Sequence, residues 1–121
     1  MIVLVLSLAG AAGALCRLVV DGAVRSRWGP QFPYATLLIN VSGSVLLGVL
    51  TGLVLFHSAP DQLRTVLGTG FCGGYTTFST VSFETARLVQ ERRAAAALLN
   101  SAGTLLLSLL GAAGGLALTS L

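Results

Sequence analysis

The most distinctive segment of the sequence is residues 70–80, where glycines and hydroxyl side chains replace the leucine and valine of the flanking stretches. Lipid offers no hydrogen bonds to open backbone groups, so an irregular segment at membrane depth must be packed in protein or line a polar site. Carbonyl and amide groups freed at such a break typically bind an ion or a polar substrate. The segment therefore predicts an ion-binding or ion-conducting site in an apolar chain.

Polar side chains also occur singly in the other apolar stretches. Asn100, Thr104 and Ser108 are spaced four residues apart, which places them on one helix face. They form either a line of hydrogen-bond donors along a pathway or bonds back to carbonyls of their own helix. Asn40 either joins two helices or contributes to the same pathway. Phe78, among hydroxyls, offers an electropositive ring edge to a small anion.

Charged and nucleophilic side chains give little support for catalysis. Arg17 and Glu84 lie in or near apolar stretches, where charges are candidate functional groups, although pairing or snorkelling explains them equally well. No activating base is evident for the Thr76-Thr77 pair. Cys16 and Cys72 lack the Cys/His spacing of a zinc site and are interpreted as small buried residues. The sequence therefore predicts that the protein is not an enzyme.

Composition indicates which elements position these residues. The chain has 121 residues, of which 55% are hydrophobic and 9% are charged, whereas soluble domains carry roughly 25% charged residues. A spanning helix needs about 20 residues. We therefore expect one all-α membrane domain with four transmembrane helices, a polar loop over 21–33 and a break in the third helix near residues 73–77. The predicted spans are residues 2–20, 34–56, 63–89 and 94–118.

The distribution of arginine predicts how the chain crosses the membrane. All seven basic residues are arginines, and they lie mostly near span ends, which favours membrane anchoring over nucleic-acid binding. Arg64 lies on the side of the membrane shared by both termini. With Arg17 left aside, five lie on the opposite side: Arg25, Arg27, Arg87, Arg92 and Arg93. The positive-inside rule then places both termini outside and gives the chain a preferred orientation.

Several segments together carry a family resemblance: residues 70–80, Ser82-Phe83-Glu84, Arg17 after a Gly/Ala-rich first helix, Asn40-Val41-Ser42-Gly43-Ser44 with Gly48, and Ala97-Leu98-Leu99-Asn100. In these segments, which extend over essentially the whole chain, the sequence resembles the Fluc (CrcB) family of fluoride channels. The resemblance implies a dual-topology antiparallel dimer in the inner (plasma) membrane with two fluoride pathways along its interface. It also implies passive export of cytoplasmic fluoride down its electrochemical gradient, which lowers fluoride toxicity.

The resemblance also implies particular site residues. A structural sodium ion that is not transported would be bound at the dimer interface by the backbone carbonyls of Gly73 and Thr76 from each subunit. Arg17 and Glu84 would be structural or vestibule charges. The implied fluoride pathway comprises Asn40, Phe78, Ser79, Thr80, Thr104 and Ser108.

Three alternatives remain open. The dimer is either a homodimer or a heterodimer in which an oppositely oriented homologue supplies part of each pore; Val81, which stands where the family usually has a second phenylalanine, and the arginine asymmetry support the heterodimer as the alternative. A small four-helix drug-proton antiporter would need a carboxylate in the first span, and residues 2–20 contain none. A structural subunit without transport is disfavoured, because a broken helix and a polar stripe are costly in lipid.

Overall fold

The computed structural model describes residues 1–29 and 34–121, and all regular secondary structure in these two ranges is helical. The helices are α1 (Ile2–Trp28), α2 (Tyr34–Phe56), α3 (61–75), α4 (Ser79–Gln90) and α5 (Ala94–Thr119). Of these, α1, α2 and α5 are long and apolar enough to cross a membrane. Helices α3 and α4 occupy the segment that the sequence predicts to be the interrupted third span.

The third span is irregular before it breaks. Within α3, a short α-helical turn at Asp61–Leu63 leads into a π-helix over Arg64–Cys72 and then into a last helical turn at Gly73–Tyr75. Thr76 leaves the helix with an extended backbone, at φ −80° and ψ 161°. The break therefore occupies residues 76–78, later than the predicted 73–77, because the glycine pair still forms a helical turn.

The first helix is longer than the sequence pattern suggested. It continues through the stretch predicted as a loop and ends at Trp28. Asp21 and Arg25 face each other one turn apart, with Oδ1 and Nε separated by 2.8 Å, and such i,i+4 pairs support polar helix ends. The rest of the predicted loop, residues 30–33, lies outside the described residues.

Helices α2 and α5 pack closely through glycine. A Cβ atom on Gly48 would overlap the carbonyl of Ala112, and one on Gly115 would overlap the carbonyl of Val45. Small residues at such crossings let two helix backbones approach each other in a membrane. The α2–α5 pair therefore forms a scaffold against which α3 and α4 pack.

Helix α1 packs against the end of α3 in the same way. A Cβ atom on Gly13 would overlap the carbonyl of Phe71, and one on Gly74 would overlap the carbonyl of Gly10. These contacts lie within a few residues of the break at 76–78. The α1 backbone therefore sets the position from which the chain leaves α3.

The ends of α2 and α5 meet on one side of the domain. The Nε2 atom of His57, just after α2, lies 2.6 Å from the carbonyl oxygen of Thr119 at the end of α5. The connection that leads to Arg64 therefore lies on the same side of the domain as the end of α5.

Candidate functional site

A groove of about 860 Å³ runs along the break between α2, α3, α4 and α5, and we call it the main groove. Its walls are largely apolar, so its few polar groups are conspicuous. Ser79 and Thr80, two of the predicted fluoride-pathway residues, lie outside its lining. The other predicted sodium and fluoride residues all contribute to it: Asn40, Gly73, Thr76, Phe78, Thr104 and Ser108.

Two residues of the polar stripe on α5, Thr104 and Ser108, line this groove. Among the described residues, the Thr104 and Ser108 hydroxyls and the Asn100 side-chain oxygen are buried without a partner. By contrast, the Ser101 hydroxyl donates to the carbonyl of Ala97 at 3.0 Å. The alternative that the stripe bonds back to its own helix therefore does not hold for Thr104 and Ser108. Leaving a buried hydroxyl unpaired costs about 1–3 kcal/mol, so these groups are poised to bind a ligand.

Asn40 fastens α2 to the break. Its Nδ2 donates to the carbonyl oxygen of Thr77 at 2.9 Å, and its Oδ1 accepts the Thr77 N–H at 2.9 Å. The side chain is buried within the domain, with 8% of its surface exposed. One of the two Nδ2 hydrogens remains available beside the main groove. The two interpretations of Asn40 are therefore compatible: it links α2 to the break, and it also has a hydrogen-bond donor available to the groove.

The hydroxyls after the break bond mainly to one another. The Oγ1 atom of Thr77 accepts the N–H of Thr80 at 3.2 Å and donates to the Thr80 hydroxyl at 3.2 Å. Ser79 is exposed, and its hydroxyl lies 3.4 Å from that of Thr77. These bonds hold the first turn of α4 in place where the backbone ladder of the span is interrupted.

A second groove of about 590 Å³ lies on the α1 side of the break. It is lined by the half-buried Arg17, by Thr36 of α2, and by Thr77 and Thr80 at the break. Thr77 lines both grooves. The predicted residues Arg17 and Thr80 are therefore brought together, but on the opposite side of the break from Thr104 and Ser108.

Glu84 is the centre of a polar network that the sequence did not predict. Its side chain is only 3% exposed. The Thr36 hydroxyl donates to Oε1 at 2.6 Å, and Arg25 Nη2 donates to Oε2 at 3.2 Å. The carboxylate is therefore held by two residues on two other helices, and one of them, Arg25, also pairs with Asp21. The i,i+4 spacing of Asp21 and Arg25 was the one available signal in the sequence.

This network predicts a stability cost for removing Arg25. Arg25→Gln should lower the free energy of unfolding by about 1–3 kcal/mol, because the buried Glu84 carboxylate loses its cationic partner. The double variant Arg25→Gln/Glu84→Gln should recover part of that loss, since the neutral amide no longer needs the cation. Thermal unfolding in detergent measures both. Additive effects of the two substitutions would show that the pair is not coupled.

Phe78 and Val81, the residues at the two positions where the family usually has phenylalanine, differ in their exposure. Phe78 is 84% exposed, so its ring is free to face a neighbouring molecule, while Val81, one turn into α4, is 9% exposed. Both line the main groove. Of these two residues, only Phe78 therefore presents an aromatic ring edge to the groove, and Val81 presents an aliphatic side chain.

The fold and the site together define a class: an all-helical, multi-pass membrane protein with an interrupted span beside a groove of open hydrogen-bond donors. The chain belongs to the CrcB family, since the family model described as CrcB-like protein, Camphor Resistance (CrcB), matches residues 4–116.

Similar proteins cover most of the chain. It is 53% identical over 114 residues to fluoride-specific ion channel FluC 1 of Leifsonia xyli subsp. xyli, covering 94% of this chain and 82% of that protein. It is 46% identical over 114 residues to fluoride-specific ion channel FluC 2 of Cutibacterium acnes, covering 93% of each. Family membership identifies the chain as a membrane transport protein of the cell membrane and not an enzyme.

Proposed function

We propose that this chain forms a fluoride channel that lets cytoplasmic fluoride leave the cell passively. The observation that carries the proposal is the pair of buried hydroxyls of Thr104 and Ser108, which have no partner in the described part of the chain and line the main groove together with the exposed Phe78. Fluoride is a small anion whose hydration shell must be replaced by donors along its path. The similar proteins from Leifsonia xyli subsp. xyli and Cutibacterium acnes are named fluoride-specific ion channels, which supports this choice of anion.

The chemistry of the groove suits anion passage without proton coupling. Hydroxyls and the remaining Nδ2 hydrogen of Asn40 donate to the anion, and the ring edge of Phe78 adds a weak positive potential. The apolar walls offer no hydrogen bonds to larger anions, which are less strongly hydrated than fluoride. Among the described residues, no carboxylate, histidine or basic side chain lines the main groove, and the Cys72 thiol is its one titratable group. Flow is therefore driven by the fluoride gradient and the membrane potential alone.

A second subunit in the opposite orientation would complete the pathway. The main groove is open on one side, and Phe78 on its rim is largely uncovered. In the last helical turn before the break, Gly73 is exposed with no heavy atom within 4 Å of where a Cβ would be, so another subunit can approach its backbone. We propose that two subunits meet here in antiparallel orientation.

The carbonyls of Gly73 and Thr76 fit a sodium ion at that interface. Hard cations prefer oxygen ligands, and interrupted membrane helices commonly bind sodium through unwound carbonyls. Both residues line the main groove, and Thr76 has left the helical conformation. Bound there, sodium would supply positive charge that holds the two breaks together without being transported.

A second candidate pairs this chain with an oppositely oriented homologue. Two observations favour it: Val81 provides no second ring edge in the groove, and the arginines are concentrated on one side. In this arrangement the partner supplies the missing aromatic groups, and the chain alone conducts poorly.

Antiport of drugs against protons is less consistent with the structure. Helix α1 does include one carboxylate, Asp21, which the shorter predicted span left out. Asp21 is paired with Arg25 near the end of the helix, so it is already neutralised by a cation of the protein. An exchanger would need this carboxylate free to alternate between a proton and a substrate.

Efflux from liposomes tests these proposals. Vesicles loaded with potassium fluoride and treated with valinomycin should release fluoride, measured with a fluoride electrode, with no pH gradient applied; chloride should stay inside. The chain is reconstituted alone and together with a homologue encoded beside it. Robust efflux from the chain alone would reject the heterodimer, and efflux only with the homologue would support it. Fluoride movement that required protons to move in exchange would reject a channel.

A further inference from the structure

The break changes the hydrogen bonding of two particular carbonyls. In a continuous α-helix, the Gly73 carbonyl would accept the N–H of Thr77, and the Thr76 carbonyl would accept the N–H of Thr80. Here the Thr77 N–H donates to Asn40 Oδ1 at 2.9 Å, and the Thr80 N–H donates to Thr77 Oγ1 at 3.2 Å. The two diverted donors are the helical partners of the two proposed sodium ligands.

The neighbouring backbone bonds leave both carbonyls open. The N–H of Thr76 donates to Cys72 at 2.9 Å, and the N–H of Ser82 donates to Phe78 at 3.0 Å. These bonds close the ladder on either side of the break. In the described part of the chain, the carbonyl oxygens of Gly73 and Thr76 accept no hydrogen bond from a backbone or side-chain donor.

We infer that Asn40 and Thr77 are positioning residues for the cation site: each accepts one amide N–H that would otherwise cap a ligand carbonyl. The inference rests on the sodium site proposed above and adds what keeps that site open. Extended backbone at Thr76 alone would not keep the two carbonyls open, because a released N–H in an apolar setting forms a hydrogen bond with the nearest acceptor. The side-chain oxygens are that acceptor.

Asn40 therefore serves both proposed functions with different atoms. Its Oδ1 holds the Thr77 N–H away from Gly73, while its Nδ2 braces the Thr77 carbonyl and keeps one hydrogen for the main groove. A change at Asn40 should consequently alter the response to sodium as well as fluoride flow. A residue that only lined the anion path would leave the sodium response unchanged.

Sodium-dependent stability of the purified protein tests the inference without measuring transport. The melting temperature in detergent is followed as sodium replaces N-methyl-D-glucamine at constant ionic strength, because a bound ion stabilises the native state. Thr77→Val, which removes the acceptor of the Thr80 N–H at nearly constant shape, should raise the half-maximal sodium concentration by about tenfold or more, since the Thr76 carbonyl must then lose a hydrogen bond before it binds the ion. Thr77→Ser keeps the hydroxyl and should behave like the unmodified protein. Asn40→Leu should resemble Thr77→Val.

Each outcome has a distinct meaning. A normal sodium response in Thr77→Val would overturn the inference, even if Asn40→Leu failed to fold. An unmodified protein that is insensitive to sodium would overturn the cation site and the inference together. Intact sodium stabilisation without fluoride efflux from liposomes would instead reject the proposed transport function and leave the inference standing.

Discussion

Replacing Thr104 with valine and Ser108 with alanine together should reduce fluoride efflux by about a hundredfold or more, because a hydrogen bond to a charged group contributes about 1.5–3 kcal/mol. Both hydroxyls are buried without a partner among the described residues and line the main groove. A hydrogen bond to an anion would therefore stabilise these two hydroxyls more than it would a donor that already has a partner. Losing both leaves fluoride largely dehydrated against the α5 wall.

The control is a serine whose hydroxyl is already satisfied. Ser7 is exposed in α1 and donates to the carbonyl of Val3 at 2.8 Å, so Ser7→Ala should leave efflux unchanged. Potassium fluoride liposomes with valinomycin give the rates, and gel filtration shows whether each variant is folded. Normal efflux from a folded Thr104→Val/Ser108→Ala variant would show that the anion does not use this wall.

The stripe on α5 could be predicted from the sequence because helix geometry alone decides it. Residues four positions apart share a face in any α-helix, and hydroxyls on an apolar helix are conspicuous. The break could also be predicted, since residues 70–80 form the longest run of glycine and hydroxyl residues in the apolar stretches. Both features depend on local periodicity, which neighbouring helices do not change.

Contacts between distant segments could not be predicted in this way. The bond from Thr36 to Glu84 joins residues 48 positions apart, and the Asn40 bonds to Thr77 join residues 37 positions apart. Local pattern carries no information about which faces of two helices meet. The π-helix at Arg64–Cys72 was missed for a related reason, because its apolar sequence is compatible with ordinary α-helical turns as well.

The close packing of α1 on α3 gives the second large effect. Gly13→Ala should lower the free energy of unfolding by about 2–3 kcal/mol, because the new methyl group meets backbone, which cannot rotate away as a side chain can. The obstructing atoms are the Phe71 carbonyl and the Tyr75 amide nitrogen, the latter 2.9 Å from the added carbon. Fluoride efflux should fall with stability, since both atoms lie immediately before the break.

Gly22→Ala is the matched control, because Gly22 lies on the same helix and no heavy atom is within 4 Å of its Cβ position. Alanine favours the helix over glycine, so this variant should melt at or slightly above the normal temperature and conduct normally. The comparison separates the general effect of a methyl group on α1 from the specific collision at Phe71. If Gly13→Ala also kept normal stability and efflux, α1 could retreat without moving the break, and the position of the Gly73 and Thr76 carbonyls would have to be set by Asn40 and α2 alone.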